Sequence, residues 1–279
     1  MADIAIIGAG AMGSGIGRKL VEGGANVLTY LEGRSAATLE RAKAAGMQPC
    51  GLDRIVDADI VLSIVPPAEA IGVAGKFAAA ARDRKEPVTF VDCNAISPDT
   101  MRLVAAAFDG SGVDVLDGSI IGLPPQPGKR GPKLYVSGDP ANRSALLAGH
   151  GLDVRRIEGP VGAASALKMC YAGINKGVTG LGTAMFLAAI RSGADQSLKR
   201  ELEESASDLD QKLSSGIPDM YAKAYRWVAE MEEIAAFLGK DDPVALIFKG
   251  MAGLYRKMAE DRNADGELAA QLDGLLGRE

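Results

Sequence analysis

Two features of this 279-residue chain could do chemistry. The first is Gly8-Ala9-Gly10-Ala11-Met12-Gly13, a G-x-G-x-x-G hexamer lying between a short apolar run and an amphipathic one. Alone, such a hexamer is also what a glycine-rich turn without a ligand looks like. Between a strand and a helix, each glycine has a task. Gly8 makes the turn, Gly10 lets the backbone approach a pyrophosphate, and Gly13 allows helix and strand to close on each other. Free N–H groups and the positive end of the helix dipole then hold the anion. The second feature is Lys168, whose neighbours from Gly162 to Asn175 are mostly small and apolar. A lysine desolvated there has a lowered pKa and can exchange a proton near neutrality. The alternative is a lysine that snorkels to water from a mostly buried helix. Ala172 and Asn175 share its helical face at i+4 and i+7. Lys176 is a second candidate, further from the expected domain junction.

A dinucleotide site also needs an adenosine end. Glu32 closes the second apolar run, where an acid would accept the ribose hydroxyls of NAD. Gly33-Arg34-Ser35 follows at once. An arginine with a hydroxyl at a helix N-terminus suits the 2′-phosphate of NADP, unless Arg34 is solvated and Ser35 only caps the helix. NADP is the favoured cofactor and NAD the alternative.

The elements that must position these residues are legible in the periodicity. Asp3 to Ile7 reads as a strand buried on both faces. Met12, Ile16 and Leu20 recur at helical spacing, Gly23-Gly24 stop that helix, and residues 25–31 form a second strand, completing a βαβ unit. A helix opened by Ser35 runs to Ala45 and stops at Gly46. Residues 60–65 form a strand ended by Pro66-Pro67, and an alanine-rich helix follows to Ala81. Further strands are expected at 88–91, 113–116 and 134–136, with a helix opened by Ser97-Pro98 and a Pro- and Gly-rich segment over 122–132. This is a Rossmann-type, doubly wound parallel sheet. After Ala163 only helical periodicity remains, over 163–191, 197–213, 220–238 and 243–259. The expected organisation is an NAD(P)-binding domain over 1–160 and an all-helical substrate and dimerisation domain over 161–279, with the active site in the cleft between them.

Composition narrows the function classes. The chain is 47% hydrophobic and 24% charged, with a net charge of −5. An acidic chain without basic blocks offers no broad footprint for nucleic acid or an anionic membrane surface. No uncharged stretch approaches the ~18 residues of a membrane helix. Cys50, Cys93 and Cys170 fit neither a disulfide framework nor a zinc site, and a single histidine, His150, leaves little for metal or Ser-His chemistry. No metal is expected. Met1-Ala2-Asp3 carries no basic n-region or cleavage site, so a cytoplasmic location is expected.

With these motifs in this order, the chain resembles the β-hydroxyacid dehydrogenase family, which includes 3-hydroxyisobutyrate and 6-phosphogluconate dehydrogenases. Gly8 to Gly13 is similar to its cofactor fingerprint. Val65-Pro66-Pro67 resembles the proline turn beside the nicotinamide, and Asp92-Cys93-Asn94-Ala95-Ile96-Ser97-Pro98 the segment D-x-S-T-I-S-P. Asp117-Gly118-Ser119-Ile120-Ile121-Gly122 falls at the substrate loop D-A-P-V-S-G, and residues 162–168 at the helix carrying the catalytic lysine. The resemblance implies hydride transfer between NAD(P) and the hydroxyl or carbonyl carbon of a β-hydroxyacid-like small molecule, with Lys168 as general acid/base. It puts Val65, Pro66, Pro67 and Asn94 on the cofactor. On the substrate it puts Asn94, Ala95, Ser119, Ile121, Gly122, and Tyr171 or Asn175.

The departures are specific. The family's asparagine four residues after the lysine is Ala172 here, and Tyr171 or Asn175 would have to substitute. The loop serine is Ile121, its last glycine is Leu123, and the Ser-Thr pair reads Asn94-Ala95. Tyr225-Arg226-Trp227 and Glu230-Met231-Glu232-Glu233 look like an uncharacterised branch with a divergent helical domain. Imine reduction on the same scaffold, which the lysine argues against, and a non-catalytic NADP(H)-binding redox sensor are the rival readings. Long apolar helical faces lead us to expect a homodimer through the C-terminal domain.

Overall fold

The computed structural model describes residues 2–277 apart from 83, 85, 86, 127, 129, 130 and 240. The chain divides into two compact units between Lys168 and Met169.

The first unit alternates strand and helix. Its elements are β1 (Asp3–Ile7), α1 (Ala11–Glu22), β2 (Asn26–Tyr30), α2 (Ala36–Ala44), β3 (Gln48–Cys50), α3 (Leu52–Ile55) and β4 (Ile60–Ser63). A 3₁₀ turn (Pro67–Glu69) leads into α4 (Ala70–Ala81), followed by β5 (Thr89–Asp92), α5 (Pro98–Ala106), β6 (Asp114–Ile121), β7 (Lys133–Ser137), α6 (Ala145–Gly149), β8 (Asp153–Arg156) and the start of α7 (Ala163–Arg191). The strands form one sheet in the order 3-2-1-4-5-6-7-8. All neighbours are parallel except β6 and β7. The order reverses between β1 and β4, so the crevice past their carboxyl ends is the topological switch point where such sheets bind ligands.

Both faces of the sheet are covered, which is why its central strands read as unbroken apolar runs. Ile4 and Ile6 of β1 pack with Ile16 and Leu20 of α1 on one face. Ala5 and Ile7 pack with Phe77 of α4 and Phe90 of β5 on the other. Phe77 and Phe90 are fully buried with ring centroids 5.1 Å apart, and burial of each contributes on the order of 2–3 kcal/mol. At Ser97 the expected cap forms: its hydroxyl accepts the Thr100 N–H at 3.2 Å.

The sequence reading missed β3 and β8. They are the two edge strands, Gln48-Pro49-Cys50 and Asp153-Val154-Arg155-Arg156. Proline and charge at an edge oppose further pairing and also erase the apolar run. The opposite error concerns β6. Residues 117–121, expected as a loop, continue the strand, because β7 pairs antiparallel with them from Asp117↔Ser137 to Ile121↔Lys133.

The second unit continues α7 and adds α8 (Asp195–Ser205), α9 (Ser207–Tyr221), α10 (Ala224–Leu238), α11 (Ala245–Asn263) and α12 (Glu267–Leu275). Its core includes Phe186, Leu213, Ile217, Met231 and Tyr255. Gly182 lets α9 approach α7 closely: a Cβ there would lie 2.3 Å from a methyl of Leu213. The single helix expected over 197–213 is two helices, broken at Ala206 (φ −148°, ψ 50°). Asp208 and Asp210 in the next turn favour a new helix N-terminus. Lys199 spans the break, bonding Glu203 at 2.7 Å and Asp210 at 2.8 Å. None of the described helices is long and apolar enough to cross a membrane.

Candidate active site

The glycine fingerprint adopts the geometry its spacing calls for. Gly8 turns the chain out of β1 with φ +103°, and a Cβ there would sit 2.2 Å from the Ile64 carbonyl oxygen. Gly13 presses α1 onto that turn, where a Cβ would lie 2.0 Å from the Gly8 carbonyl oxygen. Gly10 is different: no atom lies within 4 Å of a Cβ built on it. It is the N-cap of α1, no side chain caps it, and the first turn holds no acid. The first turn therefore carries orphan N–H groups and an uncompensated positive dipole end beside open space, which fits a pyrophosphate.

Next to it, a groove of about 490 Å³ opens past the carboxyl ends of β1 and β2. Glu32 and Arg34 line one side, Glu69 and Lys76 the other, with Ile7 and Phe77 among its apolar residues. The groove is sized and placed for the adenosine half of a dinucleotide. Three of its four charges are already engaged. Tyr30 donates its hydroxyl to Glu32, and Arg34 bonds Glu69 at 2.8 Å. Ser35, expected beside Arg34, does not line the groove; its hydroxyl lies 3.1 Å from that of Thr38. Arg41, unforeseen, reaches from α2 to the Ala9 carbonyl at 3.5 Å.

The proline turn and Asn94 form a strut. The buried Asn94 side chain accepts the Val65 N–H at 2.7 Å and donates to Ser63 at 3.1 Å and to Asp92 at 2.7 Å. Its amide therefore ties the end of β4 to the end of β5. Pro66, Pro67 and Ala95 are exposed beside it. Asp92 also accepts the Asn94 N–H at 2.9 Å. Burial raises the Asp92 carboxyl to about 6; the Asn94 hydrogen bonds and Lys168 pull the other way.

Lys168 lies at the start of a helix pinned to the sheet. Asp117, fully buried at the β6 register opposite Ser137, accepts the N–H groups of Gly162 and Ser165, both at 2.9 Å, and the Ser165 hydroxyl at 2.7 Å. Ser137 accepts the Ala164 N–H at 3.0 Å and donates to Asp117 at 3.1 Å. The orphan donors of the first turn of α7 are thus satisfied by two strands. Lys168 follows Ser165 by one turn. Burial lowers its pKa, opposed by the nearby Cys93, Asp92 and Asp117. Among the described residues its ammonium makes no hydrogen bond or ion pair. A cation that is desolvated and unpartnered is equipped to hand over a proton.

The remaining expected residues are placed less directly. Ser119 is fully buried in β6 with its hydroxyl unbonded, while Ile121 and Gly122 are at its more open end. In the second unit, Tyr171 is half exposed. Asn175 donates to the Tyr171 carbonyl at 2.9 Å and accepts from Lys212 at 3.2 Å. Lys176 pairs with Glu230 and lies 5.3 Å from the Trp227 ring centroid, so that lysine is tied into the helical core. Sequence reasoning gave no role to Asp92, Asp117 or Glu69. An acid closing a buried strand, as at Asp92, was the available signal; for Glu69 there was none.

Several known proteins are similar to this chain. Residues 3–95 match the family described as NADP oxidoreductase, coenzyme F420-dependent, and residues 189–258 match a domain of unknown function, DUF1932. An uncharacterised 28.5 kDa protein of Methanothermus fervidus is 27% identical over 237 residues, 84% of this chain and 90% of that one. The 3-hydroxyisobutyrate dehydrogenase of Pseudomonas aeruginosa is 27% identical over 215 residues, 74% of this chain and 70% of that one. Among solved structures, the conserved protein MTH1747, of unknown function and described as structurally similar to 3-hydroxyacid dehydrogenases, superposes with a TM-score of 0.78. It is 27% identical and covers 93% of this chain and 98% of its own. By sequence over most of its length and by fold, the chain is similar to a 3-hydroxyisobutyrate dehydrogenase and to a protein described as resembling 3-hydroxyacid dehydrogenases, with an NADP oxidoreductase-type match over residues 3–95 and a DUF1932 match over residues 189–258.

Proposed function

We propose that the protein is an NAD(P)-dependent oxidoreductase acting on the CH–OH or carbonyl carbon of a small β-hydroxyacid-like molecule. One observation carries this reading: Lys168 is desolvated and unpartnered, on a helix whose start is bonded to the sheet that bears the glycine fingerprint. The nicotinamide, when bound, supplies the hydride chemistry. Gly8 to Gly13 would hold its pyrophosphate, and the groove with Glu32 and Arg34 its adenosine. Lys168 takes the hydroxyl proton in oxidation and returns it in carbonyl reduction. Asn94 acts by holding Val65 and Asp92 in place, and Asn175, two turns along α7 from Lys168, would help orient the substrate. On this reading residues 1–160 bind the cofactor, residues 161–279 bind substrate and pair with a second copy, and the enzyme works in the cytoplasm.

The proposed homodimer has a specific seam. Tyr171, Ile174, Leu181 and Met185 are each at least half exposed along α7. With the half-buried Val178 they repeat every three or four residues, the spacing of a helix–helix contact.

Titration of NADPH and NADH by quenching of the Trp227 fluorescence or by calorimetry tests the cofactor site, and a panel of β-hydroxyacids tests turnover. Lys168→Ala turning over within a few-fold of wild type would remove the role given to this lysine. Tight cofactor binding without turnover of any hydroxyacid would favour the redox-sensor reading, which the alanine at position 172 supports.

A further inference from the structure

The adenosine groove contains a feature that bears on which dinucleotide it takes. Arg34 is the guanidinium best placed to meet a 2′-phosphate, yet it is bonded to Glu69 at 2.8 Å, with the arginine side chain 29% and the glutamate 41% exposed. Glu69 is delivered there by the proline turn: it ends the 3₁₀ segment Pro67–Glu69, and its N–H is bonded to the Pro66 carbonyl at 2.8 Å. The four charged side chains that line the groove, Glu32, Arg34, Glu69 and Lys76, sum to zero. A phosphate monoester carries roughly −1.5 to −2 charges at neutral pH. A neutral groove does not attract it, and a carboxylate already on the guanidinium competes with it.

We propose that Glu69 is a specificity-determining residue that sets the balance between NADPH and NADH by occupying Arg34. This rests on the cofactor reading above. NADH brings only ribose hydroxyls to this end and leaves the Arg34–Glu69 pair intact. NADPH must displace Glu69 from the guanidinium or accept a like charge beside its phosphate. Glu69 thus acts through Arg34, and the effect belongs to the 2′-phosphate alone.

The test is dissociation constants for NADPH, NADH, adenosine 2′,5′-bisphosphate and 5′-AMP, measured on the full chain. Glu69→Gln removes the charge and keeps the size, leaving the groove with a net positive charge. The expected result is about tenfold tighter NADPH and adenosine 2′,5′-bisphosphate, with NADH and 5′-AMP within about twofold of wild type. The gain should vanish in an Arg34→Met background, since the two residues act as one unit. Melting should be unchanged, because a half-exposed ion pair adds little to stability. Equal shifts for NADPH and NADH, an unchanged ratio, or a gain that persists without Arg34 would each overturn the assignment. If folded wild type and both variants bind neither dinucleotide, the cofactor reading falls and the role of Glu69 with it. Binding of both with an unmoved ratio overturns Glu69 alone.

Discussion

Asp92→Asn isolates the cost of burying an acid beside the candidate catalytic lysine. In the folded protein burial raises this carboxyl from 3.8 to about 6, whereas unfolding returns it to its ordinary value. Between those values the native state binds more protons than the unfolded state, so stability falls as pH rises through roughly 4 to 6 and is flat above. That difference corresponds to about 3 kcal/mol at pH 8. Asparagine is nearly isosteric and cannot ionise, so it removes that penalty. It also gives up one acceptor, because Asp92 takes both the N–H of Asn94, at 2.9 Å, and its amide, at 2.7 Å; that loss costs about 1 kcal/mol. The net expectation is a variant about 2 kcal/mol more stable at pH 8, raising the melting temperature by roughly 4–8 °C. At pH 4 the wild-type penalty has mostly gone, and the variant should be level or slightly less stable. Urea melts at both pH values, followed by far-ultraviolet circular dichroism, supply the comparison. The sign change between the two pH values is the diagnostic. A variant uniformly less stable at both would show that the hydrogen bonds to Asn94 outweigh desolvation and that the carboxylate is at home in this site.

Five further outcomes are expected. Gly10→Ala should fold as the wild type does but bind NAD(P)H at least tenfold more weakly, because a Cβ there meets nothing within 4 Å in the protein and would stand where a pyrophosphate approaches. Gly13→Ala, with its Cβ 2.0 Å from the Gly8 carbonyl, should instead lower the melting temperature before any ligand is added. Lys168→Met should reduce kcat at least 100-fold while stabilising the fold at pH 7. Its lowered pKa makes wild-type stability climb as pH rises from that value towards 10.5, and the methionine variant should lack that climb. Asp117→Ala removes the acceptor of two helix N–H groups and two hydroxyls and should cost on the order of 3–5 kcal/mol in a urea melt. Leu181→Glu, on the exposed seam of α7, should shift light-scattering mass from dimer to monomer with cofactor binding retained.

Legibility in the sequence followed physical cause. β1, α1 and β2 were readable because a strand covered on both faces must be apolar throughout, and because Gly8 and Gly13 each answer a steric demand that no other residue meets. The edge strands β3 and β8 were not, since an exposed edge selects against the pattern that announces a strand. β6 was read too short because its last residues pair with β7, across a connection of eleven residues that no local periodicity reports. In the site, Lys168 stood out as a charge among alanines. Asp117 was seen only as a motif position, because its task, capping a helix that begins 46 residues later, is tertiary. The Arg34–Glu69 pair joins the end of β2 to the turn after β4 and was equally invisible.

The same logic explains why the lysine sits where it does. A largely desolvated cation is unfavourable, and so is the carboxyl of Asp92 pushed up to about 6. They persist within reach of one another because each lessens the other's burden, while Asp117 and Ser137 hold α7 against the sheet. A side chain on a pinned helix turn is held more closely than one on a loop. A proton donor and acceptor must keep its distance to the reacting oxygen within a fraction of an ångström. The substitution at Ala172 then acquires a physical sense. With the start of its helix already held by Asp117 through Ser165, the proposed mechanism would use a neighbouring asparagine for the substrate rather than for the lysine. The prediction that separates these two duties is the response of Lys168 itself. In Asp117→Asn, which keeps one acceptor for the helix, the pH dependence of Lys168 acylation should shift, whereas in Ala172→Asn it should stay and only the KM for a hydroxyacid should move.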